Sequence, residues 1–154
     1  MRTEATEAEM FTVAVFQDVP WARRGLAALL ADGFAASAVT ILAKESPESR
    51  ALCEEMFGEP GQRIEVRSLG ASLARGPLLP VLQGRDNALA TDGLGGTMTR
   101  AGFQRHDGHI FETLAGRGGV LVAVRDARRA ADALAKMHSY GGGNAAIGAW
   151  SGRV

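Results

Sequence analysis

Hydrophobic positions in this chain follow two rhythms, and twice they do so in the same order. Residues 119–124, GVLVAV, form an uncharged run rich in β-branched side chains, which is the pattern of a strand buried on both faces. Asp126 follows, placed to accept a hydrogen bond from an amide of the next turn. Ala127, Ala130, Ala131, Leu134 and Met137 then recur at helical spacing, while Arg128, Arg129, Asp132 and Lys136 fall mostly on the other side. That spacing predicts an amphipathic helix packed by one stripe. Gly141, Gly142 and Gly143 end it, and residues 145–150 resume as a short strand.

A degenerate copy of this unit lies at residues 11–42. A shift of 108 positions without a gap lays Asp18 on Asp126, Ala22 on Ala130, Leu26 on Leu134, Gly33 on Gly141 and Ala38 on Ala146. Residues 13–16 fall on residues 121–124. Strand, aspartate cap, apolar stripe and glycine stop recur in register, and the joint match points to an internal duplication. The copy reads as a strand over 11–16, then a helix with Pro20 in its first turn. Trp21, Gly25, Leu26, Leu29 and Leu30 form the helix's inner stripe, and a second strand follows over 38–43.

Between the two units the pattern is less regular. Ser46 and Pro47 open another helix, with Leu52, Met56 and Phe57 facing inward and Gly58, Pro60 and Gly61 closing it. Residues 63–69 alternate and predict a strand with Ile64, Val66 and Ser68 on one face. Residues 70–103 carry Pro77, Pro80 and the glycine-rich DGLGGT, and read as a loop-rich insertion with one short helix. Residues 105–115 return to helix, with Ile110, Phe111 and Leu114 inside.

Two short βαβ-like halves in one chain predict an α+β fold. The expected form is a ferredoxin-like sandwich, one mostly antiparallel sheet with helices on one face, with a Gly/Pro-rich insertion between the halves. A small doubly wound α/β sheet is the alternative. The expected organisation is a flexible tail over 1–9 and a single α+β domain over 10–154. Its halves cover 11–69 and 104–150, and the insertion 70–103.

Composition narrows the function classes. The chain has 154 residues, 46% of them hydrophobic, enough for one domain with a substantial core. Lys and Arg total 17 and so do Asp and Glu. With no basic excess and 6% aromatic residues, nucleic-acid binding is not expected. The single Cys53 has no partner for an internal disulfide; a reducing, cytoplasmic setting and a buried structural thiol are the expectations. The acidic start MRTEATEAEM lacks the apolar core of a signal peptide. No run approaches the ~20 apolar residues of a membrane helix.

Candidate chemistry is sparse. His106, His109 and Glu112 are spaced to share one helix face, beside Asp107, and imidazole with carboxylate suits zinc or another divalent ion. Against this stand Gly108 inside the helix and the ordinary role of Asp107 at a helix start, so no metal and no cofactor is expected. Haem ligation by His106, His109 or His138 has weaker grounds still. Gly93, Gly95 and Gly96, and separately Gly116, Gly118 and Gly119, lack the strand-before and helix-after context of phosphate loops and read as turn glycines. Arg128 and Arg129 read as a solvated helix face. No Ser, His and carboxylate arrangement suggests nucleophilic catalysis.

The segment HIFETLAGRGGVLVAV at 109–124 with Asp126, and TVAVFQDVPWARRGLAALLADGF near the start, resemble a family of bacterial general-stress and heat-induced proteins with a duplicated ferredoxin-like domain. The resemblance spans residues 1–42 and the last 46. The resemblance implies a bacterial stress-related or regulatory protein with no defined chemistry, and Phe111 stands where the family carries an aromatic. The family's apolar central stretch is here broken by charge and proline, which argues against membrane association. The expected function is therefore non-enzymatic: self-association as a homo-oligomer, and binding of a protein partner or small-molecule ligand. Trp21 and Trp150 are candidate interface aromatics. The alternative is a small-molecule or metal sensor resembling PII-like regulators, holding its ligand between subunits through residues 70–103.

Overall fold

The computed structural model describes residues 9–150; the segment expected to be a tail falls, for residues 1–8, outside the described residues. Glu9 already belongs to the first strand, β1 (Glu9–Phe16). Helix α1 (Val19–Ala31) follows, then a 3-10 turn (Ala36–Ala38) and β2 (Val39–Lys44). Next come α2 (Pro47–Phe57), β3 (Gln62–Val66), β4 (Gly70–Arg75), α3 (Leu78–Gln83) and α4 (Ala88–Arg100). The chain closes with α5 (Arg105–Gly116), β5 (Val120–Arg125), α6 (Ala130–Ser139) and β6 (Gly143–Trp150).

One six-stranded sheet runs in the order β3-β4-β2-β5-β1-β6. Every neighbouring pair is antiparallel, so the chain is α+β rather than a doubly wound parallel sheet. The uncharged run at 120–124 forms β5 near the middle, and every one of those residues is fully buried. Successive side chains of a strand point to opposite faces. Phe11, Val13, Val15, Leu42, Ala74, Leu121 and Ala123 therefore build one core with α3, α4 and α5. Ala14, Phe16, Val39, Ile41, Ala43, Val120, Val122 and Val124 build the other with α1, α2 and α6. The expectation of helices on one face is corrected, because the second face is covered by α3 and α4, from residues 70–103, and by α5.

The repeated unit is visible in three dimensions. The Asp18 carboxylate accepts from the Trp21 amide at 3.0 Å, and the Asp126 carboxylate accepts from the Arg129 amide at 3.0 Å. Ala22, Gly25 and Leu29 are buried on α1, and their counterparts Ala130, Ala133 and Met137 are buried on α6. Gly33 and Gly141 end the two helices with φ of 92° and 90°. Two details differ from the periodicity. Helix α6 starts only at Ala130, so Asp126 caps the turn before it, and the inward residue is Ala133 rather than Ala131. Trp21 lies outside the α1 stripe and is 36% exposed.

Residues 70–103 are not a loop. They hold β4, α3 and α4. Pro80 sits in the first turn of α3, where a backbone amide has no helical acceptor to lose. Gly93, with φ 78° and ψ 179°, kinks α4 into two helical pieces. Ser68 falls in the turn between β3 and β4 rather than on the strand face with Ile64 and Val66.

Candidate functional site

The sheet places the candidate side chains in three regions. The first is a cleft between α4 and α5, about 420 Å³ in volume, lined by Gly95, Gly96, Thr99, Arg105, His109 and Glu112. Gly95 lies against Gly108: a Cβ on Gly108 would stand 2.7 Å from the Gly95 carbonyl oxygen, and one on Gly95 would stand 3.2 Å from the Gly108 carbonyl oxygen. These glycines let two helix backbones touch. Gly108 therefore does not break α5, and Gly93, Gly95 and Gly96 lie within α4 rather than in a turn.

Glu112 Oε1 accepts from the Gly95 amide at 2.8 Å. That amide belongs to the turn that restarts after the Gly93 kink, where helical acceptors are missing, so the carboxylate caps a broken helix from outside. Thr99 donates to the Gly95 carbonyl at 2.9 Å. Among the predicted metal ligands, His109 and Glu112 both line the cleft, His106 does not, and both histidines are exposed. Among the described residues no three His, Cys, Asp or Glu side chains come together to hold a metal ion. His138 lies on α6, among the helices of the opposite layer. Glu112→Ala is expected to destabilise the fold by about 1–2 kcal/mol through the lost cap, with Glu112→Gln retaining part of it. Urea denaturation of both variants measures this, and an unchanged midpoint for Glu112→Ala would remove the capping role.

The second region surrounds Arg129. Its guanidinium lies 3.9 Å from the centre of the Phe34 ring. It pairs with Asp32 at 3.1 Å and with Asp132 at 3.7 Å, and Lys136 approaches Asp32 at 3.7 Å. The groove beside them, about 440 Å³, is thus lined by charges that already compensate one another. Arg128 is exposed but stands in the turn before α6 rather than on a helix face, and Arg129, read with it as solvated, is instead held by these ion pairs and the Phe34 ring.

Cys53 is 1% exposed in α2, in keeping with a structural thiol. Burial pushes its pKa up; Arg75 opposes this, and Glu59 and Glu54 add to it. A thiol whose folded value lies above the unfolded one, about 8.5, contributes stability that is complete below that pH. The contribution is lost as pH rises through the folded value. Native protein is therefore expected to resist thiol reagents at neutral pH and to lose stability on the alkaline side. Replacing Cys53 by alanine should flatten that alkaline decline in a series of melts; an equal decline in both proteins would contradict the assignment.

The third region comprises the two edges of the sheet, which the side-chain motifs did not single out. Edge strand β3 carries Arg63 and Glu65, both exposed, and Arg63 pairs with Glu45 at 3.0 Å. Alternating charge of this kind blunts an edge against pairing. Edge strand β6, GNAAIGAW, has neither a charged residue nor a proline. Ile147, in its middle, is 39% exposed. With Trp21 and Tyr140 it completes the exposed large hydrophobics among the described residues. Trp21 lies against Gly141, two residues before the strand, since a Cβ there would lie 3.3 Å from its ring. The side chain of Trp150 lies outside the described residues. A run of β6 type without charge or proline is the available sequence signal for such an edge.

No helix among the described residues is long and apolar enough to cross a membrane. Compared with protein-family models, with curated proteins and with solved structures, the chain matches none.

Proposed function

We propose that this chain is a non-enzymatic, stress-related or regulatory domain of the bacterial cytoplasm that acts by self-association and binding. In this reading β1–α1–β2 and β5–α6–β6 are the two halves of a ferredoxin-like core. The order β2-β5-β1-β6 and the helix following the first strand of each half support it. So does the resemblance of the two halves to the duplicated stress proteins. The hairpin β3–β4 then extends the core at one edge, and α3, α4 and α5 shield its second face.

The contrast between the edges carries the functional reading. One edge is charged and ion-paired, whereas the other is uncharged, eight residues long and bordered by exposed apolar side chains. Such an edge favours pairing with another chain. A small-molecule sensor is the second reading, favoured by the cleft between α4 and α5, where Arg105 and His109 stand beside Glu112. Native mass spectrometry of the full chain, run across a concentration series and against a metabolite panel, separates the two. A homo-oligomer indifferent to the panel supports self-association. A monomer that retains a small molecule, with retention lost in His109→Ala, supports the sensor. A ligand-free monomer at every concentration overturns both.

A further inference from the structure

We infer that β6 is a homodimer interface. Its outer edge pairs antiparallel with the β6 strand of a second copy, joining two six-stranded sheets into one continuous sheet. This rests on the self-association reading and specifies where and how it occurs.

The first argument is backbone accounting. Among the described residues β6 pairs with β1 on one side only, leaving the donors and acceptors of its other side without a strand. The regularly paired residues 146–150 offer about five inter-strand hydrogen bonds to a second strand. The second argument is charge. A two-fold pairing sets a strand against itself, so a charged side chain near the centre would face its like, which is destabilising. Gly143–Trp150 contains no charge and satisfies its own copy. The opposite edge, with Arg63 and Glu65 projecting, is closed to a flat apolar strand.

The third argument is the side-chain pattern. Ile147 stands opposite Thr12 in the β1–β6 register, on the face that carries α6. Opposed residues in an antiparallel pair share a face. With the two-fold axis at Ala146, Ile147 of one copy meets Ala145 of the other; with the axis at Ile147, it meets itself. In both registers an exposed apolar group is covered by another. Ala146 and Gly148 face inward, Ala146 against the first core and Gly148 over the Phe103 ring, and pairing with β1 is regular over residues 146–150, beyond a register shift near Asn144, whose φ is 53°. A second copy is therefore the occupant that matches the edge in both charge and apolar pattern.

Ile147→Lys tests the interface directly. Ile147 is partly exposed, so the substitution is compatible with the monomer fold, yet it buries like charges beside the two-fold axis. Light scattering with size-exclusion chromatography should show a wild-type dimer and a variant whose dimer dissociation constant is weakened about a hundredfold. Glu65→Lys on the opposite edge should leave the dimer unchanged. Hydrogen exchange of the wild-type chain needs no variant: amides of β6 should gain protection as concentration crosses the dimer transition, while those of β3 should not. A dimer that survives Ile147→Lys with β6 amides unprotected overturns this interface and leaves self-association standing. A monomer at every concentration overturns both. Protection of β6 that is independent of concentration and lost on deleting residues 1–8 assigns the edge to the chain's own N-terminal segment, and likewise overturns the inference.

Discussion

Gly76→Val is expected to cost the domain about 2–6 kcal/mol of stability. Gly76 turns the chain from β4 into α3 with φ of 113°, a region that costs a side-chain-bearing residue about 1–3 kcal/mol. A Cβ there would also be driven into the Val39 carbonyl oxygen, the Thr40 Cα and the Thr40 hydroxyl. Two of these are backbone atoms of β2, which is paired on both sides, with β4 and with β5. They have no direction in which to yield. The same turn is fastened by the Arg75 guanidinium, which donates to the carbonyls of Val39 and Ala36. It is fastened again by the Leu78 amide, which donates to Thr40 Oγ1 at 2.9 Å. Valine must therefore break the attachment of β4 and α3 to β2 or displace a central strand. Strain and overpacking together come to about 2–6 kcal/mol, a large fraction of the whole stability of many domains, about 5–15 kcal/mol. Gly58→Ala is the matched control: its φ is 73° but no atom lies within 4 Å of the added Cβ, so only the conformational cost of about 1 kcal/mol remains. Far-UV circular dichroism and urea denaturation distinguish them. A Gly76→Val protein as stable as Gly58→Ala would show that this turn moves freely.

Phe111→Ala is expected to cost about 3–5 kcal/mol, the usual range for emptying an aromatic site in a core. Phe111 is fully buried on α5 and meets Phe103 edge to face, with ring centres 5.8 Å apart and planes at 82°. Phe103 in turn fills the space above Gly148 of β6. The cavity would thus open where the exit of α4, the face of α5 and the underside of β6 meet. Phe111→Leu keeps most of the volume and should recover more than half of the loss. Denaturant midpoints of the two variants measure this, and hydrogen exchange should quicken in β6 before β2. An equal loss for leucine and alanine would mean that the edge-to-face contact, rather than volume, matters there.

The local elements were legible wherever their signals are short-range. Ser46 and Pro47 open α2 as their chemistry predicts; the Ser46 hydroxyl accepts from the Ser49 amide at 3.0 Å. Asp18 and Asp126 accept from amides three residues on in both halves. The run at 120–124 is buried on both faces as its pattern predicted, although the expected sandwich placed helices on one face only. The source of the second layer was hidden, because the covering residues carry proline and glycine, which ordinarily mark loops. Pro80 is harmless in a first turn, and Gly95 and Gly108 are small because two helices touch there. A close approach between residues 95 and 108 leaves no periodic trace along the chain.

The same division holds for the candidate sites. Spacing alone put His106, His109 and Glu112 on one helix, and they are on one helix. Only the packing of α4 on α5 decided that Glu112 spends its carboxylate on the Gly95 amide and that His106 is left outside the cleft. Trp21 was assigned inward from its helical phase, but it sits in the first turn of α1, is 36% exposed, and rests against Gly141 instead. By itself the sequence determined the caps, the stripes, the repeat and the uncharged character of residues 143–150. Those properties depend on neighbours within a turn or two along the chain. Tertiary structure decided which strand became an edge and which glycines became contacts, because both are set by pairings between residues far apart in sequence.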